Sequence, residues 1–178
     1  IHEFEADSST KAREAVVDRL LSSRAFGERW ARHWLDLVGY ADQIGTSNDV
    51  FAEHAWRYRD YVIDAFSIDM PYDQFVQQQI AGDLLPADGK EERRRNLIAT
   101  GLLAIGSKSL NGGNLELDIV DDQVDVISKA FMGFTVSCAR CHDHKFDPIP
   151  TADYYAMAGI FRNIDTFYGG STRRPKNL

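Results

Sequence analysis

The chain has 178 residues, of which 44% are hydrophobic and 26% are charged, a balance typical of one folded domain with its own core. Its formal net charge of −7 argues against non-specific nucleic-acid binding, because that activity needs a basic surface. No apolar run approaches the length of a membrane span, so we predict that the chain does not cross a membrane.

The first part of the chain carries helical periodicity. Residues 1–10 are polar and predict a loose lead-in, after which apolar residues at helical spacing predict a helix over about 10–23. A second helix is predicted over about 26–41, where aromatic and aliphatic residues fall on one face. Its apolar stripe consists of Phe26, Trp30, Trp34, Leu37 and Val38.

His33 lies on a second line of this helix, together with Arg29, Asp36 and Tyr40. Polar residues at this spacing are typical of a half-buried face whose groups are hydrogen-bonded to one another. The alternative interpretation is that His33 faces a site, because the imidazole ring is a common metal ligand. The sequence leaves both interpretations open.

The helix after a loop at 42–53 alternates aromatic rings with arginines. It is predicted over about 54–66 and contains the segment Trp56-Arg57-Tyr58-Arg59. Arginine binds carboxylates through two parallel hydrogen bonds, so Arg57 and Arg59 are candidates for holding a carboxylate-bearing cofactor. The more ordinary interpretation is a buried aromatic face flanked by solvated charge.

Three further helices are predicted before the cysteines, over about 71–85, 90–105 and 115–136, the last after a loop at 106–114. The third of them is the longest predicted helix, and one of its faces is acidic. That face carries Asp118, Asp121, Asp122 and Asp125. Like charges at this spacing repel, so they are solvated, paired with arginines or bound to a hard cation such as calcium. We predict that Arg57 or Arg59 compensates them, in preference to a metal.

The segment from Ser137 to His144 holds both cysteines of the chain and two of its five histidines. Its core, Cys138-x-x-Cys141-His142, has the spacing of covalent c-type haem attachment. In such sites two thiols add to the vinyl groups of one porphyrin edge, and the following histidine binds the iron. The pattern therefore predicts covalent haem c on Cys138 and Cys141, with His142 as an iron ligand.

Three other uses of the two cysteines stay open. A structural zinc site would add His142 or His144, although zinc usually takes a second, distant ligand pair and the chain has no other cysteine. A thioredoxin-like redox pair should open a helix after a strand, whereas here a helix is predicted before the motif. The last alternative is a pair of ordinary buried cysteines.

His144 and His33 are the histidines to weigh as further ligands. Since two residues of one short turn cannot reach opposite faces of a porphyrin, we predict that His144 is not the second iron ligand of a haem held by His142. His144 is expected instead to orient a carboxylate such as Asp147, or to complete a second, non-haem metal site. A second iron ligand must come from a distant helix, and His33 is the predicted one.

The chain after the motif is predicted to be extended at 145–150, where prolines restrict the preceding residues, and then helical over 151–161. The expected fold is all-α, with six to seven helices in one irregular bundle and the Cys-x-x-Cys-His turn after the longest helix. Residues 11–165 form the predicted domain, and 166–178 are a tail or the start of a further segment.

The segment Cys138-Ala-Arg-Cys-His-Asp-His-Lys-Phe-Asp-Pro-Ile-Pro150 resembles one specific family. It is similar to the second type of planctomycete cytochrome-C-like domain of unknown function, which is found in large secreted multidomain proteins. Residues 28–36, 55–61, and 71–75 with 81–84 fit the same pattern, so the resemblance covers about residues 15–165. Further positions that match the family pattern are His33, Arg57, Arg59, His144 and Asp147.

The resemblance implies a haem c domain for electron transfer within a larger secreted redox protein. Its implied partners are other cytochrome-like domains of the same or another protein, and its implied location is extracytoplasmic. Two alternatives belong to other classes of protein. One is an oxidative enzyme domain that uses haem or a metal among His142, His144 and nearby carboxylates, and the other is a structural module with a Cys/His metal site.

Overall fold

The described part of the chain, residues 2–6, 8–44, 50–106 and 115–163 of this computed structural model, is built from helices. Its α-helices are α1 His2–Ala6, α2 Ala12–Leu21, α3 Arg24–Leu37, α4 Ala55–Ser67, α5 Tyr72–Ala81, α6 Lys90–Ala99, α7 Leu115–Ile127 and α8 Thr151–Phe161. Short 3₁₀ turns cover Gly82–Leu84, Thr100–Leu103 and Val136–Arg140, and a π turn covers Ser128–Met132. The predicted all-α class is confirmed.

The seven predicted helices are all present, and the differences lie between and beyond them. The lead-in at 1–10 was predicted to be loose, but α1 forms within it. The predicted loop at 42–53 contains a minimal antiparallel ladder between β1 Gln43–Ile44 and β2 Val50–Phe51. Residues 45–49 of that loop, most of the loop predicted at 106–114 and the tail at 166–178 lie outside the described residues.

A buried network of polar side chains joins α3, α4 and α5. The Trp34 indole N–H donates to the Tyr58 hydroxyl at 2.9 Å and to Gln79 Oε1 at 3.2 Å, and the Tyr58 hydroxyl donates to the same Gln79 oxygen. Tyr58 is only 2% exposed and Gln79 is fully buried. Because buried donors and acceptors are costly when unpaired, this network fixes how the three helices meet.

Helix α3 packs most extensively against α4, and small residues make that approach close. The buried face of α3 runs through Gly27, Ala31, Trp34 and Leu35. Trp30 and Leu37, which were predicted to belong to the apolar stripe, are 49% and 48% exposed. That prediction was wrong because it followed the large side chains, whereas the contact surface is centred on the small ones.

The segment before the cysteines is shorter as an α-helix than predicted. Helix α7 has 13 residues, fewer than the 14 of α3, and continues only as the π turn to Met132. Gly133 then adopts a left-handed conformation at φ 72°, which ends the helical segment, and the N–H of Phe134 donates to the Ser128 carbonyl at 3.1 Å. Phe134, which lies within the helix predicted over 115–136, is outside the helical segment and 40% exposed. The glycine therefore turns the chain toward the motif earlier than the periodicity indicated.

We predict that Gly27→Ala lowers the free energy of unfolding by about 2 kcal/mol. A Cβ at this position would lie 2.0 Å from Ser67 Oγ and 2.8 Å from the backbone oxygen of Ile63, so α3 and α4 must separate. The matched control is Gly159→Ala in α8, where a Cβ meets nothing within 4 Å. Alanine there should raise stability by about 0.5–1 kcal/mol, because glycine is unfavourable inside a helix. Urea denaturation of the two variants checks the difference, and equal effects would contradict the described α3–α4 contact.

Candidate functional site

The two cysteines lie at the surface on a short 3₁₀ turn, Val136–Arg140, and its continuation at Cys141. Val136 and Ala139 are 2% and 0% exposed and anchor the turn to the core, whereas Cys138 and Cys141 are exposed, free thiols. The N–H of Cys138 donates to the carbonyl of Thr135 at 3.0 Å. The interpretation as ordinary buried cysteines is therefore wrong, since the buried positions of the turn are those of Val136 and Ala139.

His142 is exposed, and its ring has a defined hydrogen-bonded orientation. Its Nδ1 lies 2.7 Å from the backbone oxygen of Asp143. A carbonyl oxygen can only accept, so Nδ1 carries a proton and, in the neutral ring, the free electron pair is on Nε2. This arrangement is the one that prepares a histidine for binding a metal through Nε2.

Arg140, between the two cysteines, ties the turn to α7. Its Nη1 donates to Asp121 Oδ2 at 3.1 Å, and its Nη2 donates to Asp118 Oδ1 at 3.3 Å. The hydroxyl of Ser137 donates to the backbone oxygen of Asp121 at 3.3 Å. The turn is thereby held to α7 by two charge-assisted hydrogen bonds of Arg140 and by the hydrogen bond of Ser137.

Helix α8 also contacts the carboxylate of Asp121. The hydroxyl of Tyr154, a residue 3% exposed, donates to Asp121 Oδ1 at 2.7 Å. Burial, together with this hydrogen bond and the charge of Asp121, raises the pKa of Tyr154. Burial lowers the pKa of Arg140, but its hydrogen bonds to Asp118 and Asp121 outweigh that effect and raise it. At neutral pH, Arg140 is charged and Tyr154 is a neutral donor, so Asp121 keeps two partners.

The prediction that Arg57 or Arg59 compensates the acidic face of α7 was wrong. Arg140 pairs with Asp118 and Asp121, and Lys129 pairs with Asp125 on the next helical turn. Arg140 can pair with these carboxylates because the turn after Gly133 folds the motif back against α7. The residues that position the motif were missed by sequence reasoning. A usable signal was the position of Arg140, which follows the end of the predicted acidic helix by only a few residues.

Hydrogen bonds hold the loop after His142 against the start of α8. Asp143 Oδ1 accepts the N–H of Thr151 at 2.9 Å at the start of that helix, and the N–H of His144 donates to the Ile149 carbonyl at 2.8 Å. The hydroxyl of Tyr155 donates to the Arg140 carbonyl at 3.2 Å. His142 therefore projects from a loop whose two ends are fixed.

The side chain of His144 is only 5% exposed, and both of its ring nitrogens have partners. Nδ1 accepts the N–H of Asp147 at 2.9 Å and lies 3.2 Å from the Asp147 carboxylate, the contact that was predicted. Nε2 lies 3.1 Å from the hydroxyl of Thr135. Since Nδ1 accepts a backbone N–H, the neutral ring carries its proton on Nε2 and donates to Thr135.

The other predicted site residues lie on α3 and α4. His33 is exposed and makes an edge contact with the Trp30 ring at a centroid distance of 5.5 Å. Arg59 pairs with Asp60, and Arg57 lies over the Trp56 ring at 5.5 Å. Among the described residues, no hydrogen bond, ion pair or ring contact joins these three side chains to the 138–144 segment. The structure thus brings together Cys138, Cys141, His142 and His144 along one surface segment and leaves His33, Arg57 and Arg59 outside it.

Exposed apolar side chains border the motif on both sides in the sequence. Met132 and Phe134 precede it and are 52% and 40% exposed, and Phe146 follows it at 83%. Exposed apolar residues that flank reactive polar groups are typical of a surface that another molecule covers. The thiols and His142 are therefore set between apolar residues.

No group of three or more His, Cys, Asp or Glu side chains within the described ranges is arranged to hold a metal ion. In the same ranges, none of the helices has the length and apolar character needed to cross a membrane.

Comparison with known protein families gives a match over most of the chain. The family model PSCyt2, described as "Protein of unknown function (DUF1549)", matches residues 1–166. No curated protein and no solved structure matches the chain.

We predict that Asp121→Ala lowers the free energy of unfolding by about 2–3 kcal/mol, because it leaves the buried Tyr154 hydroxyl without its acceptor. Asp118→Ala is the matched control. The two side chains are 27% and 26% exposed, but Asp118 has Arg140 as its partner and does not contact Tyr154, so its loss should cost about 1 kcal/mol or less. Urea denaturation measures both, and equal losses would contradict the role of Asp121.

Proposed function

The chain belongs to the PSCyt2 family, planctomycete cytochrome-like domains of unknown function, and from this premise we propose that it is a c-type haem domain for electron transfer. We further propose that it works within a larger secreted protein, that its partners are other cytochrome-like domains, and that it resides outside the cytoplasm. The last point follows from covalent attachment, which joins haem to the protein in extracytoplasmic compartments.

The observation that carries the proposal is the donor set at the 3₁₀ turn. Cys138 and Cys141 present free, exposed thiols, and His142 presents Nε2 while Nδ1–H is held by the Asp143 carbonyl. Two thiols and one oriented imidazole are the groups that covalent haem c requires, so the residues fit this cofactor. Cys138 and Cys141 would hold the porphyrin through thioether bonds, and His142 would bind the iron.

The haem, when bound, supplies reversible one-electron exchange at its iron. The chain's own residues set the conditions for it. The hydrogen bond from His142 to the Asp143 carbonyl orients the ring. Arg140, fixed by Asp118 and Asp121, keeps the two thiols on one rigid turn. Met132 and Phe134 supply exposed apolar surface directly before the motif in the sequence.

His33 is proposed as the second iron ligand, and Arg57 and Arg59 as partners of carboxylate groups. His33 is exposed, so its ring nitrogens are accessible. A second protein ligand such as His33 would favour electron transfer over catalysis. An iron held by His142 alone would instead favour the alternative of an oxidative enzyme domain.

We predict that protein matured with a haem-attachment system carries the mass of one haem beyond its sequence. Cys138→Ser with Cys141→Ser should abolish this increase, because no other cysteine exists in the chain. Ser137→Ala is the control within the same turn and should retain the haem. Intact-protein mass spectrometry reads the result, and a wild-type mass equal to that of the bare sequence would refute the attachment.

The histidines have separate expected signatures in the absorption spectrum of the matured protein. His142→Ala should keep the covalent mass but lose the wild-type axial ligation, whereas His144→Ala should leave that ligation intact because its nitrogens bind Thr135 and Asp147. His33→Ala should convert a low-spin spectrum to a high-spin one. A low-spin spectrum that survives His33→Ala removes His33 as a ligand, and a change to high spin in His144→Ala would contradict the assignment of His144.

A further inference from the structure

A cavity of about 350 Å³ lies among α3, α4 and α5, and aromatic rings form most of its wall. Its lining residues are Phe26, Trp30, Trp34, Ala65, Phe66, Asp69, Met70, Tyr72 and Phe75. We call it the aromatic cavity. Its volume falls within the range of small-molecule sites, which begins at about 300 Å³.

The rings of the aromatic cavity are steeply inclined to one another. Trp34 and Phe75 are 4.9 Å apart at 70°, and Phe66 and Phe75 are 5.8 Å apart at 61°. Trp30 and Phe26 are 6.1 Å apart at 50°. The face of an aromatic ring carries negative charge density. A cavity lined mostly by aromatic rings can therefore attract a cation.

Asp69 is the one charged residue that lines the aromatic cavity. It is exposed, and its carboxylate has no hydrogen-bond or ion-pair partner within residues 2–6, 8–44, 50–106 and 115–163. Its backbone is left-handed, with φ at 51°, a conformation that non-glycine residues seldom adopt. A carboxylate is therefore present at a position where the backbone favours glycine.

The backbone around Asp69 is the end of α4. The N–H of Met70 donates to the Ala65 carbonyl at 2.9 Å, and the N–H of Asp69 donates to the Phe66 carbonyl at 3.4 Å. This pattern is a Schellman motif, whose left-handed position is usually glycine. The negative end of the α4 dipole thus lies at the cavity, beside the Asp69 carboxylate.

The charge of the lining distinguishes this cavity from its neighbour. A second cavity, of about 600 Å³, is lined by arginines as well as carboxylates, among them Arg57, Arg94, Asp60 and Glu91. Among the residues that the structure describes, none of those lining the aromatic cavity is basic. Ring faces, helix end and carboxylate therefore all favour positive charge in the aromatic cavity.

We propose that the aromatic cavity binds a small organic ammonium ion, of the size and shape of a quaternary or methylated amine. The aromatic rings would contact the methyl groups, over which the positive charge is delocalised. The Asp69 carboxylate would supply the counter-charge. The site uses α3 to α5, and its lining includes neither the thiols nor His142; His33, which contacts the Trp30 ring, is not a lining residue either.

The test is calorimetric titration of the full chain with choline and with 3,3-dimethylbutan-1-ol, its neutral isostere. Choline should bind saturably. The alcohol should bind about tenfold more weakly or not at all, since it has the same shape without the charge. Asp69→Asn removes the charge but keeps a residue that tolerates the left-handed conformation, and should weaken choline binding about tenfold. Asp18→Asn, an exposed position on α2, is the matched control and should bind like the wild type.

Two further variants separate binding from folding. Asp69→Gly relieves the backbone and so keeps the fold, but it should lose choline binding to the same extent as Asp69→Asn. Trp30→Leu removes a half-exposed wall ring and should weaken choline more than the alcohol. Equal affinity for the alcohol and choline would identify an apolar site and overturn the proposal. Absence of saturable choline binding, or unchanged binding in Asp69→Asn, would also overturn it.

Discussion

The contact between Arg140 and Asp121 is the constraint on which the candidate site depends. Arg140 belongs to the motif itself, Asp121 belongs to α7, and Tyr154 brings α8 to the same carboxylate. Because one charged group, the Asp121 carboxylate, joins three segments, the cysteines can be exposed while the turn that carries them stays fixed. Arg140 and the buried Ala139 fix the conformation of the motif. The cysteines and His142 are not needed for this and remain available to a ligand.

Local patterns predicted the elements well, because helix periodicity and end signals act over a few residues. Helix α8 has the predicted limits of residues 151 and 161, since Pro150 before it and Asp143 at its first N–H define its start. The end of α7 was misplaced because the left-handed turn at Gly133 was read as part of a helix. The apolar face of α3 was misplaced because contact through Gly27 and Ala31 depends on the partner helix.

The site was predictable in its chemistry but not in its surroundings. The spacing of Cys138, Cys141 and His142 identifies the donor types without a structure. The partner of an acidic helix face is a long-range property, and Arg140, 19 residues beyond Asp121, was as available to sequence reasoning as Arg57 was. What decides between them is the direction of the chain after Gly133, which no periodicity encodes. The cavity beside Asp69 likewise exists only once α3, α4 and α5 have packed.

The covalent link at Cys138 and Cys141 is the central claim, and the pyridine haemochrome spectrum of the matured protein tests it most directly. In alkaline pyridine the axial ligands are replaced, so the band position reports only how the porphyrin edge is substituted. The account predicts the band of a haem with two thioether bonds, and the colour should stay with the protein after extraction with acidified acetone. A band at the position of haem with free vinyl groups, or colour that moves into the solvent, would contradict it.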